Sequence, residues 1–337
     1  MKEMQKKITM QHIADELGTS KVTVSRAINN KPGISDELRA RILERAELYG
    51  YIVNPQNEKK IKAFAFLVPQ QFFLDIDQFY TVIYVKLNQL CQSHGITLTA
   101  VTLTGEDEMS EPLPESLPHS YDGIFVAGEC NDRVLRQIDG FRLPVVYIDF
   151  QKSGRNAVVA DNYTLGSEIA NFLLDCGHTE IGFVGDYRSN QNICDRYMGI
   201  QKAMIMRGLD YNPSFNVINN DFKTGLYTLN FTMPDPLPST FVCTCDTAAY
   251  YLYEKLAAQG IRVPEDISVV SFDNTDICQK MTPALTSMDI SKQEFAILAY
   301  ELIHKMILNP GRSARKVYVK AELIRRESVK DRSNANG

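Results

Sequence analysis

Two sets of side chains in this sequence have the types and spacing to do chemistry. The first is the segment TSKVTVSRAINN, from Thr19 to Asn30, which mixes hydroxyls, a lysine, an arginine and two asparagines with small apolar residues. The second is a series of acids that each follow a short apolar run, such as Asp149 after VVYI and Asp273 after SVVSF. Both patterns leave polar groups that a hydrophobic core cannot use, so both need a position at the surface or in a cleft.

The first segment predicts a helix with two different faces. At about 100° per residue, Val24, Ala27 and Ile28 fall on one side and form a core face. The outward side then carries long donors, short polar groups and one valine: Lys21, Val22, Ser25, Arg26 and Asn29. Arginine binds guanine edges with two hydrogen bonds and valine contacts a thymine methyl, so this face suits the major groove of DNA.

The residues around this helix predict two neighbouring helices. Thr9 and Ser35 are N-cap types before the patterned stretches Met10–Leu17 and Asp36–Tyr49, and Gly18 breaks the first of them. A helix, a glycine turn and a second helix form a helix-turn-helix candidate. A small solvated helical hairpin is the alternative that the residues leave open. Short polar side chains able to bind phosphates are Ser20, Thr23, Asn29 and Ser35.

Charge is distributed unevenly along the chain. Up to Lys62 there are 12 basic and 8 acidic residues, a net charge of +4. The whole chain has 36 basic and 41 acidic residues, so the remainder carries −9. A basic head on an acidic body indicates that contact with nucleic acid is confined to the head.

The head resembles a known family. The segment ITMQHIADELGTSKVTVSRAINNKPGISDELRARILERAELYGYIVNP is similar to the DNA-binding domain of the lactose-repressor (LacI/GalR) family. The resemblance implies that Lys21 and Val22 set operator preference and that Arg26 contacts a base edge. The matching positions are Thr9, Ala14, Gly18, Ser20, Thr23, Val24, Ser25, Arg26, Asn29, Ser35, Tyr51 and Asn54. Among them the resemblance implies phosphate contacts from Thr9, Ser20, Thr23, Asn29 and Ser35.

The segment after the head departs from the family pattern. Family members continue with x-x-A-R-x-L, whose leucine enters the minor groove and kinks the operator. Here the segment is NPQNEKKIKAFAF, in which Asn57 replaces the alanine and Lys60 the leucine. Three alternatives stay open: this hinge bends DNA less, its lysines contact phosphates, or it is a plain charged linker.

The body alternates short apolar runs with helical stretches, which predicts parallel sheets covered by helices on both faces. The predicted strands are Ala63–Val68, Thr97–Leu103, Gly123–Val126, Val145–Ile148, Ile181–Val184, Phe241–Thr244 and Ser268–Phe272. The predicted helices are Val82–Ser93, Leu165–Cys176, Asp195–Arg207, Ala248–Gln259 and Gln293–Leu308.

Ligands of such sheets bind beyond the carboxyl ends of the strands. Asp149, Asp186, Asp246 and Asp273 follow predicted strands, and Arg196 lies not far beyond one of them. Carboxylates and a guanidinium pair with hydroxyls, and aromatic rings cover the apolar face of a sugar. A helix cap at Asp246 and a turn residue at Asp273 are the alternatives.

The resemblance continues along almost the whole chain, for example in CDTAAYYLYEKLAAQGIRVPEDISVVSFDN. It implies a body similar to periplasmic sugar-binding proteins, with two lobes joined by crossings near Asp161, Asp289 and Val319. It also implies that Arg196 and Asp273 bind an effector and that Asp246 supports the site. Aromatic residues expected to line the cleft are Phe79, Tyr80 and Phe222, with Phe72 and Phe73 as further candidates.

The sequence gives no support to an enzyme. It lacks G-x-x-x-x-G-K-[ST], H-E-x-x-H and G-x-S-x-G, and no nucleophile or metal site accompanies Asp149, Asp161 and Asp273. Cys243 and Cys245 have no second Cys/His pair at zinc spacing, so we expect no metal and no cofactor. The N-terminal segment lacks the apolar core of a secretory signal, and we expect a cytoplasmic, nucleoid-associated protein.

These observations predict a dimeric transcription regulator, a repressor, that binds a pseudo-palindromic operator under the control of a small effector such as a sugar. The alternative is a small-molecule receptor that acts through a protein partner without specific operator binding. The expected domains are an all-α helix-turn-helix head at 1–52, a hinge at 53–62 and an α/β two-lobed, periplasmic-binding-protein-like body. Its N-terminal lobe is expected at 63–161 and 290–319, and its C-terminal lobe at 162–289 and 320–337.

Overall fold

The computed structural model of this chain describes residues 9–28, 31–49, 61–70, 78–103, 113, 117–220, 226–310 and 313–333. The chain divides into two compact units: the head, which includes the chain up to Ile61, and the body, which includes most of the chain from Lys62 on. Several residues named from the sequence lie outside the described ones: Asn29, the hinge residues 53–60, Phe72, Phe73 and Phe222.

The head contains three helices in its described part, α1 (Met10–Glu16), α2 (Lys21–Ile28) and α3 (Asp36–Leu48). The predicted ends of the first and third helices, Leu17 and Tyr49, lie just beyond the observed ones. The apolar side of α2 packs into one small core with the other two helices. That core consists of Ile13, Ala14, Val24, Ala27, Ile28, Ile42 and Ala46.

A glycine and a serine set the turn between α1 and α2. Gly18 has a φ of 63°, a left-handed conformation that costs glycine nothing. The amide of Thr19 then donates to the carbonyl of Ala14 over 2.9 Å, which closes the end of α1. Ser20 Oγ accepts from the amide of Thr23 at 3.0 Å and so caps the start of α2.

The body alternates strands and helices. Its strands are β1 (Ala63–Pro69), β2 (Thr97–Leu103), β3 (Gly123–Ala127), β4 (Val145–Ile148), β5 (Ala157–Val159), β6 (Ile181–Val184), β7 (Thr240–Cys243), β8 (Ser268–Phe272), β9 (Thr286–Ile290), β10 (Lys316–Tyr318) and β11 (Ala321–Ile324). Its helices are α4 (Phe79–Ser93), α5 (Leu117–Ser120), α6 (Asp132–Gly140), α7 (Asn162–Asp175), α8 (Gln191–Met206), α9 (Asp246–Ala258), α10 (Ile277–Lys280) and α11 (Lys292–Leu308). None of the helices in the described part of the chain is long and apolar enough to span a membrane.

Among the described residues the strands form two sheets. The first has the order β10-β5-β4-β3-β1-β2 and is parallel throughout. The second has the order β11-β9-β8-β7-β6 and is parallel except that β11 runs antiparallel to β9. We call the parts built on them the first lobe and the second lobe. The predicted α/β class with parallel sheets is confirmed, with β11 as an exception.

The strands that the sequence did not predict are β5, β9, β10 and β11, and the unpredicted helices include α6. β5 and β10 have three residues each, too few to show a periodicity. Thr286 and Ser287 begin β9, so its apolar pattern is broken, although both side chains are buried. These strands exist because a neighbouring strand offers its edge, which is information that a local pattern does not contain.

Candidate DNA-binding surface and effector site

The outward face of α2 is exposed. Val22 has 62% of its surface exposed, and Lys21 and Arg26 are exposed beside it. Val24, on the opposite side of the helix, is fully buried in the head core, and Ser25 is partly buried. An apolar side chain between two cations can contact a base methyl while the cations bind phosphates and base edges.

The hydroxyls expected to bind phosphates lie at the starts of the helices. Thr9 precedes α1, and its Oγ1 lies 2.8 Å from Nδ1 of His12. Ser20 and Thr23 share a hydrogen bond of 2.8 Å at the start of α2. Ser35 precedes α3 and accepts from one of its amides at 3.4 Å. Helix N-termini carry unsatisfied amides and favour anions, which fits phosphate contacts at these positions.

In the body, two of the four acids that follow strands occupy left-handed backbone conformations. Asp149 follows β4 with a φ of 55°, and Asp273 follows β8 with a φ of 96°. Asn274, the next residue, has a φ of 46°. Non-glycine residues in this region cluster at binding sites and switch regions. They mark a candidate site at the carboxyl ends of β4, in the first lobe, and β8, in the second.

Arg196 is buried at the centre of this site. Its Nη2 lies 3.3 Å from Oδ1 of Asp273, and its Nε donates to Oδ1 of Asn162 over 2.8 Å. Nη1 donates to the carbonyl of Thr244 over 2.5 Å, and the guanidinium lies 4.4 Å from the ring centroid of Phe272. Burial raises the pKa of Asp273, and the positive charge of Arg196 opposes that rise.

Asp149 keeps hydrogen-bonding capacity that the described part of the protein does not use. Its Oδ2 accepts from the hydroxyl of Tyr80 at 2.8 Å, and its carbonyl accepts from the side-chain amide of Asn192 at 2.7 Å. Its Oδ1 is buried and has no hydrogen-bond partner among the described residues. Burial raises the pKa of Asp149 to about 6, and Arg196 opposes that rise. A ligand hydroxyl would supply the missing donor.

Asp246 is fully engaged by the protein. Its carboxylate accepts from the hydroxyl of Ser287 at 2.7 Å and also from Ser271. It accepts from the amide of Thr275 at 2.6 Å and from the hydroxyl of the same residue at 2.9 Å. Asp246 therefore holds the turn that follows β8.

The aromatic residues predicted for the cleft differ in their surroundings. Phe79 is buried, with its ring edge-on to Tyr80 at 5.2 Å and to Phe295 at 5.8 Å. The ammonium of Lys292 lies 5.8 Å from the ring centroid of Phe79 and donates to the main-chain oxygen of Asp273. Tyr80 is partly exposed and reaches the acid after β4, whereas Phe79 supports it from the interior.

Hydrogen bonds join the two lobes beside the acids. Nε2 of Gln151, in the first lobe, donates to Oδ2 of Asp195, in the second, over 2.9 Å. Lys316, in β10, donates to Oε1 of Gln151 over 2.6 Å. Burial raises the pKa of Asp195, and the bond from Gln151 opposes that rise. Asn192 and Asp149 form a second bridge between the lobes.

Sequence reasoning did not single out the amides of this site: Gln151, Asn162 and Asn192. Asn162 and Asn192 lie in the first turns of α7 and α8, where an asparagine is usually interpreted as a helix-start residue. Their position in the first turn of a helix that follows a strand is the signal that could have found these two asparagines. It places a side chain at the same mouth as the acids.

Histidine and cysteine side chains do not form a metal site in the described part of the chain. That part contains no group of three or more His, Cys, Asp or Glu side chains that could hold a metal ion. Cys243 and Cys245 are buried thiols. His178 is fully buried between Oγ of Ser239 and the carbonyl of Lys330, each 3.0 Å away, and burial lowers its pKa to about 4. It joins the C-terminal segment to the second lobe.

Comparison with known proteins identifies the chain. Residues 9–54 match the family model of bacterial regulatory proteins, lacI family, and residues 170–329 match that of a periplasmic binding protein-like domain. The ribose operon repressor of Haemophilus influenzae is 26% identical over 95% of this chain and 98% of its own length. The transcriptional regulator GanR of Bacillus subtilis is 27% identical over 95% of this chain and 99% of its own. The chain belongs to the LacI family.

Two solved structures share this fold over 96% of the chain. A complex of the transcriptional regulator CelR with cellobiose has a TM-score of 0.68 at 20% identity and covers 96% of this chain and 100% of its own. A lac repressor dimer bound to operator has a TM-score of 0.65 at 15% identity, with the same coverage. At these identities the likeness shows the fold.

Family membership decides the class of protein. As a LacI-family member the chain is a DNA-binding transcription regulator with an effector-binding body, and it is not an enzyme. The predicted regulator class is confirmed. The matches give no support to a receptor that acts through a protein partner instead of an operator.

Proposed function

We propose that this LacI-family regulator is a repressor whose affinity for operator DNA is controlled by a sugar or sugar derivative bound between the lobes. The observation that carries the proposal is the buried Oδ1 of Asp149, which has no hydrogen-bond partner in the described structure. Arg196 opposes the rise in the pKa of this carboxyl and Asp273 adds to it, which supports the proposal that the three groups bind one ligand. Carboxylates and a guanidinium around a small cleft suit a ligand rich in hydroxyls.

The proposed effector contacts follow from that geometry. Arg196, Asp273 and Asp149 bind hydroxyls, while Tyr80 positions Asp149 and offers its ring to the ligand. The sugars in the names of two relatives, ribose and cellobiose, support this ligand class. The full set that we propose for the effector site is Phe79, Tyr80, Arg196, Phe222, Asp246 and Asp273, with Asp149 added and Asp246 acting through the turn it holds.

The head would bind the operator through α2. Lys21 and Val22 set the sequence preference in this proposal, and Arg26 contacts a base edge. Their exposure beside a buried Val24 supports it. The full set that we propose for DNA contact is Thr9, Ser20, Lys21, Val22, Thr23, Ser25, Arg26, Asn29 and Ser35.

The domain boundaries that accompany this function are proposals of the same kind. The head would occupy 1–52 and the hinge 53–62. The first lobe would occupy 63–161 and 290–319, and the second 162–289 and 320–337. The membership of β10 in the first sheet and of β9 and β11 in the second supports this division.

The assembly follows from how an operator is contacted. A two-fold dimer brings two heads to two half-sites of a pseudo-palindrome. The lac repressor structure with which this chain shares its fold is a dimer on its operator. A regulator that binds operator DNA works where the bacterial chromosome lies, so we place this protein in the cytoplasm and on the nucleoid.

The test combines a ligand screen with operator binding. A thermal-shift screen of the full chain against neutral sugars and sugar phosphates is expected to give a saturable rise in Tm with one neutral sugar class. Asp273→Asn is expected to abolish that rise and leave binding to a selected operator duplex unchanged. Asn tolerates the left-handed backbone at this position, so the fold is kept. No rise with any sugar would reject the sugar effector, and no selectable operator would reject the regulator.

A further inference from the structure

Arg39, in α3, makes its hydrogen bonds with the backbone at the end of α2. Its Nη1 donates to the carbonyls of Ala27 at 3.2 Å and Arg26 at 3.4 Å. Its Nη2 donates to the carbonyl of Lys31 at 2.6 Å. One side chain therefore holds the last turn of α2 and the chain that leaves it.

These bonds satisfy backbone carbonyls at the C-terminal end of a helix. The last carbonyls of a helix have no partner within it, and a cation there also interacts favourably with the helix dipole. The planar guanidinium presents its donors in a fixed fork, so it fixes direction as well as distance. A lysine ammonium is a point charge with rotatable donors and cannot reproduce that geometry.

The main chain at Arg39 is itself fixed. Its amide donates to the carbonyl of Ser35 over 2.9 Å, and Ser35 Oγ caps α3. The apolar side of α2 is sealed by Val24 and Ala27, which leaves rotation and sliding of its C-terminal end as the freedom to be removed. Arg39 removes that freedom at Arg26, because its Nη1 donates to the main-chain carbonyl of Arg26.

We propose that Arg39 is a positioning residue for operator recognition, which sets the orientation of α2 and the placement of the Arg26 side chain without contacting bases itself. The inference rests on the proposed function of α2. Misplacement by about 1 Å is enough to lose a two-bond contact with a base edge, because such contacts have strict geometry.

A matched control is available two residues further along α3. Arg41 is exposed and forms no hydrogen bond with the described residues. Arg39→Gln and Arg41→Gln remove the same charge from the same helix. Arg39→Lys keeps the charge and removes only the fork. If Arg39 acts merely as a cation near phosphates, Arg39→Lys will keep operator binding unchanged. In that case Arg39→Gln will lower the salt dependence of binding by about one phosphate contact.

The experiment uses the full chain and two duplexes. One is a duplex selected from a random pool by the unmodified protein, and the other is a scrambled duplex of equal length. The readout is the ratio of the two affinities at one salt concentration. Partial unfolding of a variant lowers both affinities by the same factor, so it cancels in the ratio and a merely structural role would not change it.

We expect Arg39→Lys and Arg39→Gln to lower the ratio about tenfold, the size of one lost two-bond base contact, and Arg41→Gln to leave it unchanged. The inference is overturned if Arg39→Lys keeps the ratio, or if the ratio falls equally in Arg41→Gln. Failure to select any duplex with the unmodified protein would count against the proposed function instead.

Discussion

At the scale of single residues, the acids of the proposed effector site are held in conformations and surroundings that folding alone would avoid. Asp149 and Asp273 both have left-handed backbone angles, and both are buried. Such backbone positions cost up to about 1–3 kcal/mol each. Burial of a carboxylate with an unsatisfied oxygen adds to that cost. A ligand that donates hydroxyls to these oxygens recovers part of this free energy, which is how a preformed site gains affinity.

Asp149→Asn tests this cost through the pH dependence of stability. Burial raises the pKa of Asp149 from 3.8 to about 6, so the folded state holds this proton more tightly than the unfolded state. The stability that this proton contributes is fully present below the unfolded-state pKa of 3.8. It is lost as the pH rises through the folded-state pKa of about 6, a change of about 3 kcal/mol. We expect Asp149→Asn to increase the free energy of unfolding by up to that amount at about pH 7.

The measurement is urea denaturation of the effector-free protein at two pH values. At about pH 4 the carboxyl is protonated in the folded state, so the stabilisation by Asp149→Asn should shrink toward zero. Asp210→Asn, at an exposed carboxyl, is the control and should change neither value. An equal effect at both pH values would show that the burial of Asp149 is not the cause.

Arg26→Ala tests the role of α2 in base recognition. Loss of a two-bond contact to a guanine edge should cost about 1–3 kcal/mol of discrimination between the selected operator and a duplex with that base pair replaced. Competition gel shifts at one salt concentration measure it, with Arg41→Ala as the control for lost charge. Unchanged discrimination would place Arg26 on the DNA backbone or away from the DNA.

Only some of these residues could be found from the sequence. Arg26 was predicted to face outward because the apolar spacing of α2 is local information. Asp149 and Asp273 were placed at one mouth because strands of a parallel sheet end at one edge. The pairing of Asp273 with Arg196 depends on the register of two distant segments, and the bonds from Arg39 depend on how α3 packs. Neither is encoded in a local period.

At the scale of elements, the close approach of α7 and α8 fixes the position of Arg196. A Cβ added at Gly166 would lie 2.1 Å from the carbonyl of Arg196, and one at Gly199 would lie 2.1 Å from that of Tyr163. The two helices therefore touch backbone to backbone, which only glycine allows. Asn162, the first residue of α7, then accepts from Nε of Arg196. Glycine spacing in the helices thus determines where the guanidinium of Arg196, in the proposed effector site, lies.

Gly166→Ala should push α7 and α8 apart. We expect a loss of about 1–3 kcal/mol in the free energy of unfolding, as for other overpacked contacts, and a loss of effector binding of about tenfold or more because Arg196 moves. Operator binding should persist, since the head folds around its own core. Calorimetric titration with the effector and gel shifts with the operator measure the two activities.

Gly140→Ala is the control for this change. Gly140 ends α6, and an added Cβ there would meet nothing within 4 Å. It should leave effector affinity unchanged and stabilise the protein slightly by restricting the unfolded chain. If Gly166→Ala keeps full effector affinity, the helix contact does not position Arg196.

The same scale shows where sequence patterns failed. Most of the predicted strands are short runs of buried, largely apolar residues, such as β4 and β8. β10 and β11 have mostly exposed or partly exposed residues, so burial gave them no signature. They are strands because they pair with β5 and β9, and β11 reverses direction because it follows β10 through a short connection across the lobes.

At the scale of the whole body, hydrogen bonds join the two lobes without a ligand. The bond from Gln151 to Asp195 is backed by Lys316, and a second bond joins Asn192 to the main chain at Asp149. Each contributes about 1 kcal/mol net. These bonds form without a ligand, so we expect them to favour a closed arrangement of the lobes before an effector binds. The effector adds only its difference in affinity for the two arrangements.

Gln151→Ala removes one of these bonds and also the partner of Lys316. The effector-free protein should then populate the open form more, so the effector must supply the lost free energy and should bind about fivefold more weakly. The change in operator affinity between no effector and saturating effector should become larger, because the starting population moves further from the final one. Calorimetric titration and gel shifts with and without the effector measure both quantities.

The neighbouring residue provides the control for this prediction. Lys152 pairs with Asp132 within the first lobe, so Lys152→Ala should alter neither effector affinity nor the operator response. Linkage requires the two effects of Gln151→Ala to occur together, since one closed population determines both. Weaker effector binding with an unchanged operator response would mean that Gln151 contacts the ligand, and that the bond to Asp195 does not control closure.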